Sequence, residues 1–89
     1  MTDVIEVLTE RGTNYGTFTG TARVAQHLKH CIRQGDSYHK LAADQKESLD
    51  LIATKLARIV NGDPEYADSW IDIAGYAKLV SDRLEGTVR

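Results

Sequence analysis

Hydrophobic residues recur at steps of three and four along most of the chain, a spacing that places them on one face of an α-helix. The clearest pattern runs from Leu49 to Val60 and is followed by Gly62. Another runs from Tyr66 to Leu84. No alternation of apolar and polar residues indicates a β-strand. The pattern therefore predicts an all-α protein.

Two further helices are predicted in the amino-terminal half. The first covers residues 2–11 and is expected to stop at Gly12, because glycine commonly follows the last helical turn. Residues 12–16 contain two glycines and an asparagine, which predicts an ordered loop. A second helix is predicted over residues 17–34.

A short link joins the two carboxy-terminal helical patterns. It contains Asp63 as a capping residue, and Pro64 is expected at the first helical position. So short a link indicates two antiparallel helices. The sequence thus predicts one all-α domain over residues 1–89, four-helix bundle-like, with a short N-terminal helix and a C-terminal antiparallel helical hairpin.

Composition narrows the classes of function. The chain has 89 residues and a formal net charge of −2, which argues against a DNA- or RNA-binding protein. No apolar run approaches the roughly 20 residues that span a bilayer, so no membrane partner is expected. The single cysteine, Cys31, and the absence of a signal-peptide pattern indicate a cytoplasmic protein. A domain this small gains stability by self-association, which predicts a homo-oligomer.

Charged residues are also spaced to share helix faces in the hairpin. Lys55 and Arg58 are one turn apart on one helix, and Asp68 and Asp72 on the next. Two such carboxylates suit Mg²⁺, and Lys with Arg suits phosphate oxygens. The alternative is that the four groups form structural salt bridges across the hairpin.

Three segments of the chain form a set: Glu10-Arg11-Gly12-x-x-Tyr15-Gly16, Lys55-x-x-Arg58-Ile59 and Asp68-x-Trp70-x-Asp72-Ile73-Ala74-Gly75-Tyr76-Ala77. They resemble a family of small phage and prophage proteins that is distantly similar to the all-α nucleoside triphosphate pyrophosphatases of the MazG type. The resemblance covers about residues 5 to 84. It implies an oligomeric helical protein that binds nucleotides through Mg²⁺.

The resemblance also implies metal ligands, from a Glu-x-x-Glu and a Glu-x-x-Asp motif on successive helices. Asp72 matches the last residue of the second motif, but Ser69 replaces its Glu and Asp68 lies one residue early. Glu47 and Asp50 have the spacing and acidic type of the first motif. The implied metal site therefore consists of Glu47, Asp68 and Asp72, with Mg²⁺ as the cofactor.

These observations predict a protein that binds a phosphorylated nucleotide and sequesters a host signalling nucleotide as a phage accessory protein. Lys55 and Arg58 are expected to hold phosphate, and Tyr15 or Tyr76 to contact base or sugar. Arg11 lies beside Tyr15 in the first segment and is included in the site.

Two other functions stay open. One is a Mg²⁺-dependent nucleotide pyrophosphatase that uses the predicted metal site. The other is a helical protein-interaction module without a small-molecule site. For Trp70, packing in the apolar stripe is favoured over ligand stacking.

Overall fold

The computed structural model describes residues 3–89, and the predicted start of the first helix at Thr2 lies outside them. Within that range the protein contains four α-helices and no strand, which confirms the all-α prediction. The helices are α1 (Val4–Tyr15), α2 (Phe18–Arg33), α3 (Ala43–Asn61) and α4 (Ala67–Leu84), with a short 3₁₀ helix at Tyr38–Lys40 between α2 and α3.

Helix α1 is one turn longer than predicted. It continues through Gly12, where a glycine costs only about 1 kcal/mol relative to alanine, and ends at Tyr15. The stop is Gly16, whose φ of 78° breaks the helix while its N–H bonds to the Gly12 carbonyl. The predicted loop over residues 12–16 is therefore wrong, because most of it forms the last turn of α1.

Helices α2 and α3 pack closely through small residues. The predicted second helix is confirmed, with Thr17 as its cap. Ala25 on α2 and Ala53 and Ala57 on α3 are buried, and such short side chains allow two helix backbones to approach. The amide of Asn61, at the end of α3, donates to the Thr17 carbonyl at 3.2 Å and so ties the ends of the two helices together.

Helices α3 and α4 form the predicted antiparallel hairpin, because contacts that advance along α3 retreat along α4. These contacts join Asp44 to Arg83, Ser48 to Tyr76 and Lys55 to Asp72. Helix α4 begins at Ala67 and not at Pro64. The Asp63 side chain accepts from the Glu65 N–H at 2.9 Å, which caps a turn before the helix.

Helix α3 lies between α2 and α4, which make no substantial contact with each other in the described part of the chain. The core is thin as a result. Its buried apolar side chains are Ala25, Ala53, Ala57 and Ile59. Phe18, Val60, Trp70 and Leu84, which the periodicity placed on core faces, are more than half exposed. The packing role expected for Trp70 is thus not what the structure shows; its indole N–H donates to the Pro64 carbonyl at 2.9 Å.

No helix within residues 3–89 combines the length and the apolar character that a membrane crossing demands.

Candidate functional site

The end of α1 is fixed against the link between α3 and α4. The Asp63 N–H donates to the Asn14 carbonyl at 2.8 Å, and Gly62 lies so close to Asn14 and Tyr15 that a Cβ would overlap their backbone. This contact carries the Tyr15 ring to the carboxy-terminal end of α3. Tyr15 therefore belongs to a helix end and not to the predicted loop.

An arginine is stacked on that ring. The Arg58 Cζ atom lies 4.5 Å from the centroid of the Tyr15 ring, within the range of a cation–π contact. On another side, Tyr66 meets Tyr15 at 5.7 Å between centroids, with the ring planes 74° apart. The edge-to-face geometry is one that aromatic pairs favour. Together these contacts hold the Arg58 guanidinium at the Tyr15–Tyr66 pair.

Arg58 takes part in none of the ion pairs that join side chains within residues 3–89. Its side chain is partly exposed. A guanidinium has five N–H donors and no acceptor, so this group can bind an anion from solvent without first breaking an ion pair.

Lys55 lies one turn before Arg58 on α3 and is paired across the hairpin. Its Nζ atom lies 2.8 Å from Oδ2 of Asp72, and the two side chains are 13% and 41% exposed. The structural salt bridge considered above is therefore present for this pair. It also fixes the lysine in place on the same side of α3 as Arg58.

Asp68 is connected to the same group of residues through a tyrosine. The Tyr66 hydroxyl donates to Oδ2 of Asp68 at 3.0 Å, and this bond raises the pKa of Tyr66, because the carboxylate favours the protonated phenol. We call this set the Arg58 cluster; its members are Tyr15, Lys55, Arg58, Tyr66, Asp68 and Asp72.

The structure does not bring every predicted residue into the cluster. Glu47 lines a separate groove of about 350 Å³ between α3 and the carboxy-terminal end of α4. Tyr76 borders both this groove and a second one that Asp72 lines. Glu47 precedes Lys55 by eight residues, which is about 12 Å along a helix. Arg11 is exposed on α1, one turn before Tyr15.

The predicted metal ligands are not grouped. Residues 3–89 contain no set of three or more His, Cys, Asp or Glu side chains placed to hold a metal ion. Asp72 is engaged by Lys55, Asp68 accepts from Tyr66, and Glu47 lies in the other groove. The Mg²⁺ site stays a prediction, and its predicted ligands do not lie together in the described residues.

Sequence reasoning missed Tyr66 as a member of the cluster. Its position in the apolar spacing of the fourth helix assigned it to packing, whereas it lies just before α4. The sequence offered only an indirect indication, the turn at Asp63–Pro64, which moves the start of α4 beyond Tyr66. The backbone contact between residues 14 and 63 then brings Tyr66 to Tyr15.

A second charged group lies at the end of α4 and is structural. Asp82 is 7% exposed and accepts from Arg89 at 2.7 Å and from Lys78 at 3.0 Å. These bonds, first that of Arg89 and then that of Lys78, lower the pKa of Asp82. Asp44 is held by two bonds from Arg83, which lower its pKa as well. These contacts fix the chain end and the open end of the hairpin.

Comparison with known proteins gives a family but no activity. No curated protein and no solved structure matches the chain. The chain belongs to the DUF6378 family, a domain of unknown function that matches residues 2–84.

Proposed function

We propose that the protein binds a phosphorylated nucleotide at the Arg58 cluster. The observation that supports this most directly is the Arg58 guanidinium, which lies on the Tyr15 ring and has no carboxylate partner within residues 3–89. A guanidinium is planar and can donate two parallel hydrogen bonds to one phosphate group.

The neighbours of Arg58 complete the proposed site. Lys55 provides a second positive charge one turn away, and an ammonium with three donors can keep its bond to Asp72 while it contacts phosphate. The tyrosine pair offers an aromatic surface for a base. Arg11 lies on α1 one turn before Tyr15 and stays a predicted ligand contact. Tyr76 follows Asp72 by one turn and stays a predicted ligand contact.

Binding fits the described residues better than hydrolysis. A Mg²⁺-dependent pyrophosphatase needs metal ions to activate water and to offset charge on the phosphoryl group. The carboxylates of the cluster are instead engaged by Lys55 and Tyr66. Sequestration of a host nucleotide requires binding alone. The family match carries no activity, so the resemblance to phage proteins and MazG-type enzymes stays a prediction.

Thermal melting against a panel of nucleoside mono-, di- and triphosphates and cyclic nucleotides tests the proposal. A ligand that binds the folded state raises the melting temperature by mass action. We expect at least one nucleotide to do so and its unphosphorylated nucleoside to have no effect. Arg58→Gln should abolish the shift, while the matched control Arg23→Gln, at an exposed position of α2, should keep it.

The proposal fails if no nucleotide in the panel raises the melting temperature at millimolar concentration. It also fails if Arg58→Gln binds as tightly as the wild type in calorimetry. Lys55→Glu is expected to weaken binding at least tenfold, and unchanged affinity would remove Lys55 from the phosphate site.

A protein-interaction module is the second candidate, because many large apolar side chains are exposed. Val4, Ile5, Phe18, Val60, Ile71 and Leu84 are all more than half exposed. A module without a small-molecule site would leave the melting temperature unchanged across the whole nucleotide panel.

A further inference from the structure

The outer face of α4 carries an apolar stripe whose large side chains are at least half exposed in the single chain, and Arg89 from the chain end borders it. Ile71, Gly75 and Leu79 step by four along the helix, and Ile71 and Leu79 are 62% and 50% exposed. They line a shallow groove of about 470 Å³, which Asp72 and Lys78 also border. Helix α3 is the main packing neighbour of α4 within the described chain.

Gly75 lies in the middle of this stripe, and the single chain gives no reason for a glycine there. A Cβ atom at Gly75 would meet nothing within 4 Å. Glycine inside a helix costs about 1 kcal/mol relative to alanine. What glycine permits is the close approach of another backbone.

The surface area of the chain indicates that a partner covers part of it. The accessible surface is 6436 Å², whereas a monomeric protein of 9.9 kDa is expected to expose about 5,200 Å². The radius of gyration is 14.9 Å, against about 12 Å for a compact domain of this length. The excess of roughly 1,200 Å² is more than the ~800 Å² that each partner loses in a standard interface.

We propose that a second copy of this chain covers the stripe, with the two α4 helices antiparallel and a two-fold axis beside Gly75. Such an interface uses the same patch on both copies. Ile71 and Leu79 are equally far from Gly75 in sequence, so Ile71 of one copy meets Leu79 of the other.

The charges at the edge of the stripe obey the same symmetry. Asp72 and Lys78 are each three residues from Gly75, so each lysine faces the aspartate of the other copy. Lys78 is 70% exposed, and its ammonium, which bonds to Asp82 of its own copy at 3.0 Å, has further donors for that aspartate. Asp72 contacts Lys55 of its own copy, and a carboxylate can accept more than one such bond. Asp68 lies opposite Asp82, whose charge Lys78 and Arg89 balance. Antiparallel pairing about Gly75 thus matches apolar with apolar and places Lys78 against Asp72 at each edge.

Light scattering and sedimentation equilibrium test the interface. The wild type is expected at twice the 9.9 kDa of one chain. Leu79→Asp places an unpaired charge in the interface twice, once from each copy, and should weaken the dimer on the order of 100-fold. The matched control is Val60→Asp, which alters an exposed apolar residue of α3 and should leave the dimer intact.

Cross-linking tests the position of the axis. In a Cys31→Ser background, Gly75→Cys should form a disulfide between copies under mild oxidation, because residues next to a two-fold axis can meet the short Cα separation that a disulfide needs. Gly12→Cys, at a glycine of α1 that is also exposed, serves as the control and should remain uncross-linked. Circular dichroism verifies that each variant is helical.

A monomeric wild type, a dimer whose affinity Leu79→Asp leaves unchanged, or a dimer that Val60→Asp disrupts would each overturn the proposal. So would a Gly75→Cys variant that is dimeric by light scattering and yet does not cross-link.

Discussion

Gly12 within α1 and Gly16, which caps it, have different roles, and alanine substitution should distinguish these roles. Gly16 has φ 78° and ψ −163°, a region that only glycine adopts readily, and a Cβ there would overlap the Asn61 carbonyl. We expect Gly16→Ala to lower the free energy of unfolding by about 1–3 kcal/mol or more. Gly12 has helical geometry and open space, so Gly12→Ala should raise it by about 0.5–1 kcal/mol. Urea denaturation measures both, and equal effects would contradict this assignment.

Helix spacing predicted some residues of the candidate site but not their contacts. Lys55, Arg58 and Asp72 were found because residues three or four apart share a helix face. That Lys55 pairs with Asp72, while Arg58 stacks on Tyr15, depends on the relative shift of two helices, which spacing does not determine. Glu47 was selected by motif spacing alone, and the helix carries it about 12 Å from Lys55.

At the level of elements, the close contact of α2 with α3 depends on alanines. Ala57 has no exposed surface, and adding atoms to a packed site costs about 1–3 kcal/mol. Ala57→Leu should therefore lower the free energy of unfolding by that amount. Ala43→Leu, on the exposed first turn of the same helix, should change it by less than about 0.5 kcal/mol. Denaturation of the two variants side by side checks the contrast, and a stable Ala57→Leu variant would mean a looser α2–α3 contact than the structure has.

Helix boundaries followed from sequence where a cap determined them and were missed where tertiary contacts did. Gly62 gave the end of α3, and Thr17, which caps α2, is the first residue of the predicted second helix. Gly12 gave a false end to α1, and Pro64 a false start to α4. Gly12 and Pro64 do favour these boundaries locally. The tertiary contact between residues 14 and 63 outweighs that preference and favours a longer α1 and a separate turn before α4.

The carboxy-terminal end of α4 should lose stability in acid. Arg89 and Lys78 lower the pKa of Asp82 in the folded protein. The ionised Asp82 therefore adds to the free energy of unfolding above the pKa of an aspartate in the unfolded chain, about 4. This contribution is lost as the pH falls through the lower pKa of the folded state. We expect Asp82→Asn to be less stable than the wild type at pH 7 and the difference to shrink as the pH falls below about 4. Denaturant titrations across this range measure it, with Asp36→Asn, in an exposed turn, as control. A difference that is constant with pH would exclude the ion pairs as its cause.

For the whole molecule, folding and self-association should be coupled. No large side chain in the described part of the chain is fully buried, and the surface exceeds that of a compact monomer, so one chain gains little stability from its own core. If the α4 stripe is covered by a second copy, the dimer unfolds to two chains and its stability depends on concentration. Each tenfold rise in protein concentration should add about 1.4 kcal/mol per dimer. The melting temperature of the wild type should therefore rise with concentration over the micromolar to millimolar range, whereas that of Leu79→Asp should begin to rise only at concentrations about 100-fold higher. A wild-type melting temperature independent of concentration would mean that the thin core is stable by itself and that the exposed apolar surface serves another partner.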